Sequence, residues 1–246
     1  MDLLLLSNST NVGEDYLSYS KGIIREFLHR HEQNIIFIPY AGVTIDWDEY
    51  TVRVNEALND CGISVNSIHK SKEPLKAIDR ASAIIIGGGN SFQLLNLLYE
   101  YKLLYLIREK VLEGMPFIGW SAGANMACPT LKTTNDMPIV EPASFQALGL
   151  VDFQINPHYT EETLPTHGGE SRPMRIEEYI KTNPGSIVLG LPEGMIIRKY
   201  NDTFRLIGEK GCKVFKFGMA SRWIQTDHEL NEFLHNNSSN EDIDCT

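Results

Sequence analysis

Hydrophobic positions along this chain fall into short unbroken runs separated by amphipathic stretches. The runs Asp2 to Ser7, Asn34 to Pro39, Ile63 to Ile68, Ala83 to Gly87 and Phe117 to Trp120 read as β-strands. Ile84-Ile85-Ile86 has none of the polar alternation of a half-exposed strand, as expected when both faces of a parallel sheet are covered. Helical patterns lie between the runs at Tyr19 to Arg30, Trp47 to Asp60 and the Leu-rich Ser91 to Leu112, the last broken near Tyr101 to Leu103. This alternation predicts an α/β fold with a mostly parallel, doubly wound central sheet.

After Cys128 the periodicity lapses. Pro129 to Pro142 holds three prolines and reads as a long loop, a feature more often functional than idle in a compact domain. Arg172 to Thr182 predicts a helix. Ile187 to Leu191, Met195 to Lys199, Thr203 to Ile207 and Lys213 to Phe217 predict short strands joined by Gly-bearing turns, hence antiparallel hairpins on the sheet edge near the C-terminus. The polar, acidic stretch Asn236 to Thr246 is expected to be disordered. The resulting layout is one α/β domain over 1–218 and a C-terminal extension over 219–246.

Charge narrows the partners. The 246 residues carry 22 Lys+Arg against 32 Asp+Glu, a formal net charge of −10. Nucleic-acid binding needs a basic footprint to neutralise phosphates, so it is excluded as an expectation. The apolar run Leu3 to Leu6 follows an acid and is too short for a signal peptide or a membrane span. Cys61, Cys128, Cys212 and Cys245 are widely spaced with no CxxC pair, which argues for reduced thiols in a cytoplasmic protein and against a zinc site. No cofactor and no metal is expected, and the chain is read as a monomer or weak homodimer. An acidic protein that binds an anionic substrate must do so through a local cation.

The main chemical signal is Gly119-Trp120-Ser121-Ala122-Gly123, a G-x-S-x-G between an apolar strand and a helix of small residues. That context is a nucleophile elbow, in which a sharp turn exposes the serine Oγ at the C-terminal edge of the sheet. The bare pattern has low specificity, since a tight turn alone would also account for it. Gly87-Gly88-Gly89-Asn90-Ser91 also joins a strand to a helix, but Phe92 occupies the third glycine position of a dinucleotide fingerprint. N–H groups of Gly88 or Gly89, paired with that of Ala122, are candidates for an oxyanion hole. Asn90 is a candidate substrate contact as well as a natural N-cap.

A serine nucleophile needs a base. His29, His31, His228 and His235 lie in polar segments, and His69 ends a strand beside Lys70. His158 follows the apolar stretch Phe153 to Ile155, which would deliver it to the same edge as Ser121, and is favoured over His167. Asp136 and Glu193 both qualify as the carboxylate that orients the imidazole, and each could equally be a solvated turn acid. Arg172, after a glycine-containing loop close to His158, is a candidate for holding a substrate carboxylate.

Gly87-Gly88-Gly89-Asn90, Gly119-Trp120-Ser121-Ala122-Gly123-Ala124, Thr133-Asn135-Asp136-Met137, Asn156-Pro157-His158-Tyr159, Arg172 and Leu191-Pro192-Glu193-Gly194 together resemble the peptidase E family, serine peptidases described as α-aspartyl dipeptidases. The resemblance runs from the first strand to about Phe217. It implies a flavodoxin-like α/β sandwich related to class I glutamine amidotransferases, in which Cys stands where this chain has Ser121. It also implies hydrolysis of small peptides with an N-terminal aspartate (Asp-X) without a metal. By position it makes Ser121 the nucleophile, His158 the base and Arg172 the partner of the aspartate side chain, with the third triad role falling on Asp136 or Glu193. An acid for the substrate's α-amino group is then sought in Glu170 or in whichever of Asp136 and Glu193 is outside the triad. The stretch beyond Phe217 is longer than the family leads one to expect.

Overall fold

The computed structural model describes residues 1–29, 31, 33–163 and 168–238. Along the chain the elements are β1 (Asp2–Leu6), α1 (Lys21–Leu28), β2 (Ile35–Ile38), α2 (Trp47–Asn59), β3 (Val65–Ser67), α3 (Pro74–Asp79), β4 (Ala83–Ile86), α4 (Ser91–Glu100), α5 (Leu103–Leu112), β5 (Phe117–Trp120) and α6 (Ala122–Ala127). They continue with β6 (Gln154–Pro157), α7 (Arg172–Thr182), β7 (Ile187–Leu191), β8 (Ile196–Tyr200), β9 (Thr203–Ile207), β10 (Cys212–Lys216), β11 (Arg222–Ile224) and α8 (Asp227–Ser238).

A seven-stranded sheet has the order β3-β2-β4-β5-β1-β8-β9. Its first five strands run parallel, and β8 and β9 add an antiparallel hairpin beside β1. The unbroken apolar runs follow from this arrangement. Leu3, Leu5, Ile84 and Ile86 face a core shared with Leu94 and Leu98 of α4 and Ile107 of α5. Leu4, Leu6, Ile85 and Ile118 point to the other face, against Ile24 of α1 and Val54 and Leu58 of α2. Each fully buried Leu or Ile contributes about 1.5–3 kcal/mol, so neither face tolerates a polar replacement. Asp46 caps α2 by accepting from the N–H groups of Asp48 and Glu49, and Lys102, with φ 57°, makes the expected break between α4 and α5.

The C-terminal strands do not all join the sheet edge as hairpins. β7 belongs to a second, four-stranded sheet of order β11-β10-β7-β6, where it pairs parallel with β6 and antiparallel with β10. The reason is burial: all five residues of β7 are buried, which an edge hairpin could not provide. After Phe217 the chain forms β11 and α8. Leu230, Phe233 and Leu234 of α8 are buried in the main core, and the stretch Asn236 to Ser238 that reads as a disordered tail is the end of this helix. The rest of that tail, with Cys245, lies outside the described residues.

Candidate active site

The loops that follow β1, β2, β4, β5 and β6 meet at the C-terminal edge of the parallel strands, the edge where open α/β sheets bind ligands. Ser121 is the residue after β5 and has φ 53° and ψ −114°, a strained conformation for a residue with a Cβ. The strain sits on the serine itself. Gly119 and Gly123 have negative φ and are required instead by close approach. A Cβ on Gly119 would lie 2.3 Å from the Gly123 carbonyl oxygen, and one on Gly123 would lie 2.2 Å from that of Ile86.

Ser121 Oγ is 2.8 Å from His158 Nε2, and His158 Nδ1 is 2.8 Å from Glu193 Oε1. A carboxylate can only accept, so Nδ1–H donates to Glu193 and Nε2 is left to accept from the serine hydroxyl. His158 follows β6 with φ 53°, and its N–H donates to Ser7 Oγ at 2.8 Å. Ser7, fully buried after β1, in turn donates to the Leu191 carbonyl at 2.7 Å. The serine thus comes from the end of a strand of the seven-stranded sheet, the histidine from the end of a strand of the four-stranded one, and the glutamate from the turn that links β7 to β8.

Asp136, the other carboxylate singled out in the sequence, is not joined to His158. Its Oδ2 accepts from the Ser91 N–H at 2.7 Å and from Thr134 Oγ1 at 3.1 Å, so it fastens the 129–142 loop to the start of α4. Asn90 works at the same seam. Its Oδ1 accepts from the Gln93 N–H as the N-cap, and its Nδ2 donates to the Met137 carbonyl at 2.8 Å. Asn135 and Asn156 tie the same loop to β6 through the Pro157 and Thr133 carbonyls.

The Gly-rich turn after β4 lies against the elbow, where a Cβ on Gly88 would be 3.0 Å from Ser121 Cβ. Tyr50 Oη donates to the Gly88 carbonyl at 3.0 Å and accepts from Trp120 Nε1–H at 3.2 Å. In a trans peptide the N–H is antiparallel to the C=O, so Tyr50 turns the Gly89 N–H away from itself. Among the described residues, the N–H groups of Gly88, Gly89 and Ala122 find no acceptor.

Arg172 opens α7. Its guanidinium donates to Asn156 Oδ1 at 3.3 Å, the Pro157 carbonyl at 3.5 Å and the His158 carbonyl at 3.4 Å. Among the described residues no carboxylate pairs with it. Burial, and then the like charge of Arg175, pull its pKa below the usual arginine value. A guanidinium in that position is an electrostatic demand for an anion. Glu170 is exposed ahead of α7. His167 lies outside the described residues.

Ser7 and Tyr50 carry no motif, and sequence reading misses both. Their only signal is position, one just past the first strand and one on the inner face of α2. Among the described residues no group of His, Cys, Asp and Glu could hold a metal ion, and no helix is long and apolar enough to cross a membrane. Cys61, Cys128 and Cys212 are free.

Comparison with known proteins agrees with this architecture. The model of peptidase family S51 matches residues 3–207. Peptidase E of a Nostoc species is 50% identical over 216 residues, covering 88% of this chain and 89% of the relative. Peptidase E of Salmonella arizonae is 46% identical over 230 residues, covering 94% of this chain and 100% of its own length. The crystal structure of a peptidase from an acI-B1 Actinobacterium matches with a TM-score of 0.60 at 14% identity, over 92% of this chain and 94% of its own, a likeness of fold. With a family model that spans the elbow, His158 and Glu193, and relatives matched over nearly their whole length, the chain belongs to peptidase family S51.

Proposed function

We propose that this S51 peptidase is a serine dipeptidase that hydrolyses Asp-X substrates through Ser121, His158 and Glu193. The observation that carries the proposal is the unbroken relay from Ser121 Oγ through the imidazole to Glu193, with both contacts at 2.8 Å. Ser121 Oγ attacks the peptide carbonyl as Nε2 takes its proton, and Glu193 stabilises the imidazolium. The N–H groups of Gly89 or Gly88 and of Ala122 receive the oxyanion; loss of one such donor costs about 10²- to 10³-fold in rate. Nε2 then gives the proton to the leaving amine, and water, deprotonated by the same nitrogen, releases aspartate from the acyl-enzyme.

Arg172 supports the choice of aspartate. A guanidinium without an anionic partner, bonded to the carbonyl of the catalytic histidine, suits the β-carboxylate of the acyl residue. The test is a parallel assay of Asp-Leu, Glu-Leu and Leu-Leu together with fluorophosphonate labelling. Asp-Leu is expected to exceed the other two by at least about tenfold, and one label per chain is expected on Ser121. Equal hydrolysis of all three would remove the aspartate specificity, and label on a Ser121→Ala chain would remove the nucleophile.

A further inference from the structure

The cavity over Ser121 has a charge asymmetry that the reaction as described does not use. It encloses about 570 Å³ and is lined by Ser121, His158, the Gly-rich turn and the loops after β1 and β2. The chain has 32 acidic residues, yet among the described residues none lines this cavity, and its one permanent cation is Arg53 of α2. Arg53 is exposed and forms no ion pair with any described residue. Its guanidinium lies over the Tyr16 ring, 4.5 Å from the centroid, and that ring stands edge-on to Trp120, the residue before the nucleophile.

The same wall holds the ring beneath this cation. Tyr16 Oη is buried with Ser9 and Tyr50 beside it, so Tyr16 supports the Arg53 guanidinium with its ring and not with its hydroxyl. Burial, followed by the Tyr50 phenol, raises its pKa far above that of a free tyrosine, so it remains an O–H donor. Beside Arg53 the wall is apolar, formed by Val43, Ile45 and Ile139, with Val43 54% and Ile139 50% exposed.

On the Asp-X reading above, on which this inference rests, the substrate carries two carboxylates separated by the scissile bond. Arg172, which does not line this cavity, takes the aspartate side chain. The second carboxylate ends the residue after the scissile bond, and with neighbouring Cα atoms about 3.8 Å apart it lies within roughly 5 Å of the attacked carbon. We propose that Arg53, held over the Tyr16 ring, is the subsite for the C-terminal carboxylate of the leaving residue, and that Val43, Ile45 and Ile139 receive its side chain. The subsite selects dipeptides with a free C-terminus and an apolar second residue. A longer peptide would set a neutral amide against Arg53 and leave the charge without its anion.

The test compares Asp-Leu, its C-terminal amide and aspartate p-nitroanilide on wild type and on Arg53→Met, which keeps the aliphatic stem. Wild type is expected to favour the free acid over the amide in kcat/KM by about 10- to 100-fold, the usual worth of a charge-assisted hydrogen bond, mainly through KM. Arg53→Met is expected to reduce that preference to about unity, with Arg53→Lys intermediate. If the anilide is cleaved but the preference is absent from wild type or survives in Arg53→Met, the subsite is overturned while the Asp-X reading stands. An equal loss on all three substrates overturns it too, because it would tie Arg53 to the aspartate end. If wild type cleaves none of the three, the Asp-X reading fails and takes the subsite with it.

Discussion

At the scale of single residues, the two candidate carboxylates differ in what they hold. Glu193 faces Nδ1 of His158, whereas Asp136 faces the first N–H of α4 and a threonine hydroxyl. Glu193→Gln keeps the shape but exchanges a charged acceptor for an amide that also presents donors, so kcat is expected to fall by roughly 10⁴-fold, as in other triads that lose this charge. Asp136→Asn keeps an acceptor for Ser91 and is expected to stay within about tenfold of wild type, since a neutral hydrogen bond contributes about 1 kcal/mol. Steady-state kinetics on both variants with one substrate separates the roles, and a reversed order would move the orienting acid to the 129–142 loop. The sequence could not choose because both acids sit in turns of similar composition. What distinguishes them is the long-range parallel pairing of β6 with β7, which aligns Pro157 with Leu191 and brings the turn after each strand together.

At the scale of elements, the first half of the chain was readable for a physical reason. Strands covered on both faces must be apolar throughout, and the helices between them carry one apolar stripe, so period and burial agree. The elbow and His158 were readable because strand ends deliver residues to one edge. The second sheet was not readable: β6 is only four residues long, and a strand's partners are set by tertiary packing. α8 was missed because Leu230, Phe233 and Leu234 are few among polar neighbours, yet all three are buried. Phe233→Ala is therefore expected to destabilise the fold by about 3–5 kcal/mol while leaving kcat at low temperature near wild type. Urea denaturation with an assay on the same samples checks this, and a stability change below about 1 kcal/mol would show that the helix is an appendage.

At the scale of the whole molecule, charge distribution matters more than its total. The net −10 keeps general anions away only weakly once salt screens it over about 8–10 Å. On the proposed specificity, selection of an anionic ligand falls to local guanidinium groups, and among the described residues two near Ser121 have no carboxylate partner, Arg172 behind His158 and Arg53 in front of Trp120.

The origin of Ser121 in one sheet and of His158 in the other gives the hydrogen bond between them a second meaning. That 2.8 Å contact, with the Ser7 link beneath it, gauges how the two sheets are seated on each other. Neither sheet has to unravel for it to fail. In a urea titration, turnover is expected to collapse before far-ultraviolet circular dichroism changes, and amides of β6 and β7 are expected to exchange with solvent ahead of those of β4 and β5. Coincident loss of all three signals would show that the sheets part only when the whole chain unfolds. On the expected outcome, the enzyme's own rate is the most sensitive probe of its interior alignment.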